Sequence, residues 1–315
     1  MMLFLLGGIF LGWSLGANDA ANVFGPAVAS RMLRFWTAAI LASLFVLLGA
    51  LMGGTPGIET LKGLTQLNIE QAVVCSIAAA VTVTIMTILR LPVSTSQAVI
   101  GAILGMGFLN RQFNFAGLEK VLACWLGTPV GGMVAAVILY RVLGSFYNTL
   151  NVNLFESDRL IRLSLIAAGS YGAYALGANN VANVTAVFVG AGRISVFSAA
   201  LIGGLSIALG ILTFSKPVMK TVGRRLVRLD AFSALIVVFA EAITVHIYAL
   251  IGVPVSTSQA LVGAILGVGI IKGIKTVRRR TLANIFIGWS LTPVVAGFLS
   301  IVIDFVIHLR YVPGM

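Results

Sequence analysis

Long apolar runs separated by short polar breaks make up almost the whole chain. Runs near 3–30, 36–54, 69–90, 92–110 and 117–143 are each close to the ~20 residues a helix needs to cross a bilayer. A second set follows near 163–192, 195–214, 231–252, 254–271 and 283–309. The runs are continuously apolar rather than alternating, which predicts helices and not barrel strands. The longest polar stretches, about 144–162, 215–230 and 272–281, leave no room for a soluble domain. The pattern divides the chain into a first transmembrane repeat, 1–143, a cytoplasmic linker, 144–162, and a second transmembrane repeat, 163–315. The expected fold is an all-α integral membrane protein of about ten membrane segments.

The two halves share more than a layout. Pro92–Gly107 reads PVSTSQAVIGAILGMG and Pro254–Gly269 reads PVSTSQALVGAILGVG, identical at thirteen of sixteen positions. Gly16–Val23, GANDAANV, recurs as Gly177–Val184, GANNVANV. The offsets are 162 and 161 residues. Five spans per half is an odd number, so the halves should be inverted relative to each other. Duplicated apolar halves with polar, Gly/Pro-interrupted segments in matching places point to a secondary transporter with broken helices and a binding site where the repeats meet.

Composition agrees. The 315 residues are 59% hydrophobic and 10% charged, whereas a soluble domain runs about 45–50% and about 25%. A net charge of +12 would suit nucleic acid, but its placement argues against that partner. If each run crosses once, sixteen Lys and Arg fall on one side (Arg31, Arg34, Arg90, Arg141, Arg159, Arg162, Lys216, Lys220, Arg224, Arg225, Arg228, Lys272, Lys275, Arg278, Arg279, Arg280) and five on the other (Lys62, Arg111, Lys120, Arg193, Arg310). The positive-inside rule then places both termini outside the cytoplasm. Treating each motif segment as a pure re-entrant hairpin would give eleven against ten, so net crossing with local helix breaks is favoured. The N-terminal run resembles a signal peptide but lacks a basic start, and its end is copied in mid-chain. Cys75 and Cys124 lie in apolar spans and read as small core residues.

In PVSTSQ, Pro92 and Pro254 suit a helix's first turn. Ser94, Thr95 and Ser96, with Ser256, Thr257 and Ser258, would present hydroxyls and free amides at one point, an anion site favoured by the helix dipole. Ordinary capping is the alternative. In GANDAAN, Asn18, Asp19 and Asn22 can share one helical face. A carboxylate within a span costs about 2.5–3.5 kcal/mol and is usually kept for function. Carboxylate, amide and hydroxyl oxygens are hard ligands that suit an alkali ion rather than zinc. Polar packing between helices is the alternative. The second copy has Asn180 in place of the carboxylate. Glu241 lies mid-span with Ala79 at the matching place, and reads as a proton or cation site or a partner of His246. Gly12-Trp13-Ser14-Leu15-Gly16 matches a nucleophile elbow, but within an apolar helix it lacks the strand–turn–helix context, so no enzyme is expected.

At these motifs the chain resembles the inorganic phosphate transporter (PiT) family, whose duplicated signatures have the form GANDxAN and PxSTxxxxxG. The resemblance covers about 10–110 and 170–270, with the further echo WLGTP at Trp125 and WSLTP at Trp289. It implies an inverted-repeat symporter that imports inorganic phosphate with sodium, sometimes protons, and in which homodimers occur. Phosphate would be held by Ser94, Thr95, Ser96, Ser256, Thr257, Ser258, Asn22 and Asn183. Sodium would be held at Asp19 with Asn18, Asn179 and Asn180. No cofactor beyond that coupling ion is implied. Asn180 departs from the family's usual Asp, which bears on the number of cations. A sulfate permease of the same superfamily is the second reading. An anion channel is the third, and Asp19 weighs against it. The expected location is the inner (plasma) membrane.

Overall fold

The computed structural model describes residues 3–64, 66–88, 93–112, 114–150, 153–225, 229–273 and 279–310. Among the described residues all regular structure is helical. After a 3-10 turn at Leu3–Leu5 come α1 (Leu6–Ala29), α2 (Phe35–Gly53), α3 (Thr55–Lys62), α4 (Ile69–Ile88), α5 (Thr95–Asn110) and α6 (Phe115–Thr149). Then follow α7 (Leu154–Gly190), α8 (Val196–Arg225), α9 (Ala231–Ile251), α10 (Thr257–Lys272) and α11 (Arg279–Arg310).

The ten apolar runs resolve into three kinds of helix. Six (α2, α4, α6, α8, α9 and α11) are long and apolar enough to cross a membrane. Helices α1 and α7, of 24 and 37 residues, are long enough but carry the GAN motifs within them. Helices α5 and α10 are apolar but only 16 residues long, about 24 Å. The helix breaks fall at one motif and not the other: α1 and α7 run unbroken through GAN, whereas PVSTSQ separates α4 from α5 and α9 from α10. The short α3 has no counterpart among the apolar runs. Most of 144–162 is helical, because α6 and α7 extend into it and leave only about 150–153 between them.

Helices α4 and α5 fold back as a hairpin, which corrects the expected net crossing at PVSTSQ, because the start of α4 and the end of α5 lie side by side. At its open end Gln71 Nε2 donates to Asn110 Oδ1 at 3.0 Å. Helices α9 and α10 form a second hairpin, closed at its open end by the ion pair of Lys272 with Asp230. Helix α9 runs antiparallel to α6. Its first turn places Phe232 against Tyr140 and Tyr147, with ring centroids 5.5 and 5.4 Å apart. At its far end Lys120 Nζ donates to the Ile251 carbonyl at 2.9 Å, which neutralises the negative end of that helix.

Apart from those of α3, the main packings come in equivalent pairs: α1 on α8 and α2 on α7, α5 on α11 and α6 on α10, α1 on α4 and α7 on α9. Glycine sets how close the first pairs come. A Cβ at Gly16 would lie 2.0 Å from the Ile207 carbonyl oxygen, and one at the equivalent Gly177 would lie 2.0 Å from that of Val46. Small residues allow such backbone contact, and in lipid that contact replaces the missing hydrophobic drive.

The helix ends gather on two faces. Asn114 N–H donates to the Leu64 carbonyl at 3.1 Å, and Gly190 lies against Lys62, so Lys62, Arg111 and Arg193 belong to one face. On the other, Lys216 Nζ sits 5.6 Å over the Phe35 ring, and Phe35, Tyr147, Val218 and Phe232 belong to one apolar cluster. That face holds Arg31, Arg34 and the Asp230–Lys272 pair. Arg90, placed on the cytoplasmic side by the charge tally, lies outside the described residues.

Candidate functional site

The two hairpin tips meet each other. Ser94 and Ser256 are the N-caps of α5 and α10, each accepting a hydrogen bond from the amide of the Gln three residues on, Gln97 and Gln259, at 3.3 Å. Pro254 therefore lies two residues before the cap and not in the first helical turn, and Pro92 falls outside the described residues. Across the junction Ser96 Oγ donates to the Val255 carbonyl at 3.0 Å, and Ser258 Oγ donates to the Val93 carbonyl at 3.4 Å. Ser256 and Ser258 share a hydrogen bond of 2.9 Å. Two helix N-termini thus converge, and their dipoles favour negative charge at the junction.

The GAN helices pack onto these tips. Asn22 Nδ2 donates to Thr257 Oγ1 at 2.9 Å, and Asp19 faces the same hydroxyl. Asn183 Nδ2 reaches Ser96 Oγ at 2.9 Å and Asn180 Oδ1 at 2.8 Å. Asn179 grips the Val255 backbone twice: its Nδ2 donates to the carbonyl at 2.8 Å, and its Oδ1 accepts from the amide at 3.0 Å. The sequence places Asn179 among cation ligands. Both of its polar atoms hold the Val255 backbone, which ties the second tip to α7. Asn18, its counterpart, is half-buried and makes no hydrogen bond to a described residue, so the two repeats use this position differently.

Twelve of the thirteen residues singled out from the sequence are buried or engaged at the tips and the helices packed on them; Asn18 is at the margin. What makes the place a candidate binding site is incomplete hydrogen bonding. Thr95 Oγ1, Gln97 Oε1, Asn180 Nδ2, Asn183 Oδ1 and Gln259 Oε1 are buried without a partner. Leaving such a group unmade costs about 1–3 kcal/mol, and native structures hold few of them. This group combines donors for an oxyanion with acceptors for a cation. Gln97 and Gln259 are the additions made by the structure. They end PVSTSQ in both copies, so the identity of the two segments was the signal that could have found them.

Asp19 and Glu241 are buried, at 5% and 2% exposure. Ion pairs among the described residues engage Glu59, Asp158, Asp230 and Asp304, and neither of these two acids. His246, read as a partner of Glu241, instead has its Nδ1 2.7 Å from the Tyr171 hydroxyl. Cys75 and Cys124 are free thiols.

A sequence profile of the phosphate transporter family matches residues 15–300. A protein of Methanocaldococcus jannaschii, provisionally named a phosphate permease, is 31% identical over 94% of this chain and 94% of its own length. The sulfate permease CysP of Bacillus subtilis is 28% identical, covering 96% of this chain and 86% of the relative. Among solved structures, one described as the sodium-dependent phosphate transporter superposes with a TM-score of 0.86 at 24% identity, covering 98% of each chain.

Proposed function

The chain belongs to the phosphate transporter family, and we propose that it is a sodium-coupled symporter that carries inorganic phosphate into the cell by alternating access. The observation that carries this reading is the junction of the two PVSTSQ tips, where convergent helix N-termini and unpartnered buried polar atoms meet one buried carboxylate. In this reading the phosphate oxygens take hydrogen bonds from Thr95, from the Asn180 amide and from free amides of the first turns of α5 and α10. Asp19 holds the sodium, with Asn18, Asn180 and Asn183 offering neutral oxygens. Coupling has a physical reason. Each negative charge moved inward against the membrane potential costs about 2.3 kcal/mol per 100 mV, and a co-bound cation offsets that and neutralises Asp19.

The pseudo-equivalent packings support two repeats of opposite orientation, with the hairpins entering from opposite faces. Among the described residues, Arg31, Arg34, Lys216 and Lys272 lie on one face and Lys62, Arg111 and Arg193 on the other; this bias, in place of the tally of single crossings, makes the first face cytoplasmic by the positive-inside rule, in the inner (plasma) membrane with both termini outside. A second reading, sulfate in place of phosphate, is favoured by the Bacillus subtilis relative, and a tetrahedral oxyanion fits the same donors. Counterflow in proteoliposomes tests both: phosphate, sulfate and arsenate are compared with and without sodium. Phosphate exchange stimulated by sodium is expected. Sulfate exchange exceeding phosphate exchange would reverse the substrate assignment, and exchange indifferent to every cation gradient would return the channel reading.

A further inference from the structure

Each repeat carries one acid at a pair of equivalent positions, but not the same one: Asp19 and Ala79 in the first, Asn180 and Glu241 in the second. The helix of the first hairpin is built with alanine where the second has Glu241, so the fold does not require an acid there. Glu241 is nonetheless only 2% exposed, and its Oε2 has no hydrogen-bond partner. Among the described residues no Lys or Arg forms an ion pair with it. The charged group that bears on it is Asp19.

Packing fixes its level. A Cβ at Gly172 of α7 would meet Val23 of α1 at 2.9 Å and Ala242 of α9 at 3.5 Å. The neighbour of Glu241 in sequence therefore lies beside Val23, about one helical turn along α1 from Asp19. That turn leads away from the hairpin junction and toward the face of Asp230 and Lys272. A buried, unpaired carboxylate inside a membrane protein marks an ion pathway more often than a structural element, and oxygen ligands of this kind suit a hard monovalent cation.

We propose that Glu241 is a second cation-binding carboxylate, set one turn beyond Asp19 on the α1–α7–α9 seam, which receives an alkali ion on its way between the junction and the Asp230 face. This rests on the symporter reading and adds to it the place of the second charge. The second repeat lacks a carboxylate in its GAN motif and supplies one from its hairpin instead.

The test is equilibrium binding of radiolabelled sodium to the purified full-length protein without phosphate. Wild type is compared with Glu241→Gln, which keeps the shape, and with Glu241→Ala, which copies the other repeat. Asp19→Asn is run in parallel. Both Glu241 variants should lose one class of sodium site, or bind that class at least tenfold more weakly, while the class lost in Asp19→Asn is kept. Size-exclusion profiles and phosphate binding at saturating sodium report folding, and either Glu241 variant suffices if the other fails to fold. Wild-type number and affinity of sodium ions in a folded variant overturns the proposal, as does a wild-type protein that binds no alkali ion. The symporter reading fails separately, through absence of phosphate counterflow in the wild type, and the sodium titration still reads Glu241 in that case.

Discussion

Replacing Asn179 by alanine removes both hydrogen bonds that fasten the second hairpin tip to α7. The two losses are unequal. The Val255 carbonyl keeps the Ser96 hydroxyl at 3.0 Å, so it stays satisfied. The Val255 amide loses the Asn179 Oδ1 at 3.0 Å, and it is fully buried, so no solvent replaces the acceptor. One orphaned N–H costs about 1–3 kcal/mol. The same amount weakens the tip geometry on which the proposed anion site depends, and about 1.4 kcal/mol corresponds to a tenfold change in affinity. Asn179→Ala should therefore lower unfolding free energy in detergent by ~1–3 kcal/mol and weaken phosphate binding about tenfold. Asn179→Asp separates positioning from cation binding. Its carboxylate still accepts from the Val255 amide but cannot donate to the carbonyl, and it adds a charge. A sodium ligand would gain affinity from that charge, whereas a positioning residue would lose stability. Chemical denaturation and sodium titration on the same preparations decide the matter. Wild-type stability with sodium affinity raised in Asn179→Asp would refute the positioning role.

Thr95 Oγ1 is buried without a partner, so Thr95→Val should cost phosphate affinity about tenfold while leaving stability within ~0.5 kcal/mol; unchanged binding in equilibrium dialysis would remove Thr95 from the site. Ser256→Ala removes the α10 cap and should lower stability by about 1 kcal/mol, read by thermal unfolding. Gly16→Ala forces a Cβ to within 2.0 Å of the Ile207 carbonyl, a clash worth ~1–3 kcal/mol or more; a normal yield of monodisperse protein would contradict the close packing of α1 on α8. Burial pushes the Asp230 carboxyl up, but hydrogen bonds from Lys272 and Ser233 outweigh it and hold the group below its ordinary value. Its contribution to stability is present above the unfolded value near 4 and is lost as pH falls through the lower folded value. Asp230→Asn should thus be less stable than wild type at about pH 6, with the difference vanishing on acidification toward about pH 3.

Most of the helices were legible because the bilayer imposes a simple rule: an apolar run of the right length must satisfy its own backbone as a helix. Internal duplication made PVSTSQ and GAN legible as chemistry, since the chain writes them twice within otherwise apolar sequence. Hydropathy could not say whether PVSTSQ joins two crossings or turns a hairpin, because α4 with α5 is as apolar either way. The contact of Gln71 with Asn110 and the meeting of the tips carry that information, and they link residues far apart in sequence. Polar residues of the linker hid the extension of α6 and α7, where a capping box of Asn153 and Glu156 starts α7. The different uses of Asn18 and Asn179 were also invisible, because equivalent residues in a repeat meet unlike neighbours once the hairpins interdigitate.

The reciprocal pairing of helices has a consequence for biosynthesis. Helices α1, α2, α5 and α6 each find a principal partner in the second half, on α8, α7, α11 and α10. A ribosome that has finished α6 has made half the protein but almost none of its closest interfaces. Of the four, helix α5 waits longest, since α11 follows α7, α8 and α10 in the chain. Until then Gly101, which lies against the Pro293 carbonyl in the finished protein, faces lipid or the insertion machinery. The first half can form the α4–α5 hairpin and its packing on α1, but its closest interfaces wait for the helices of the second half. A chain stopped before α11 would leave an open groove along α5, the form that a membrane quality-control protease is best placed to recognise.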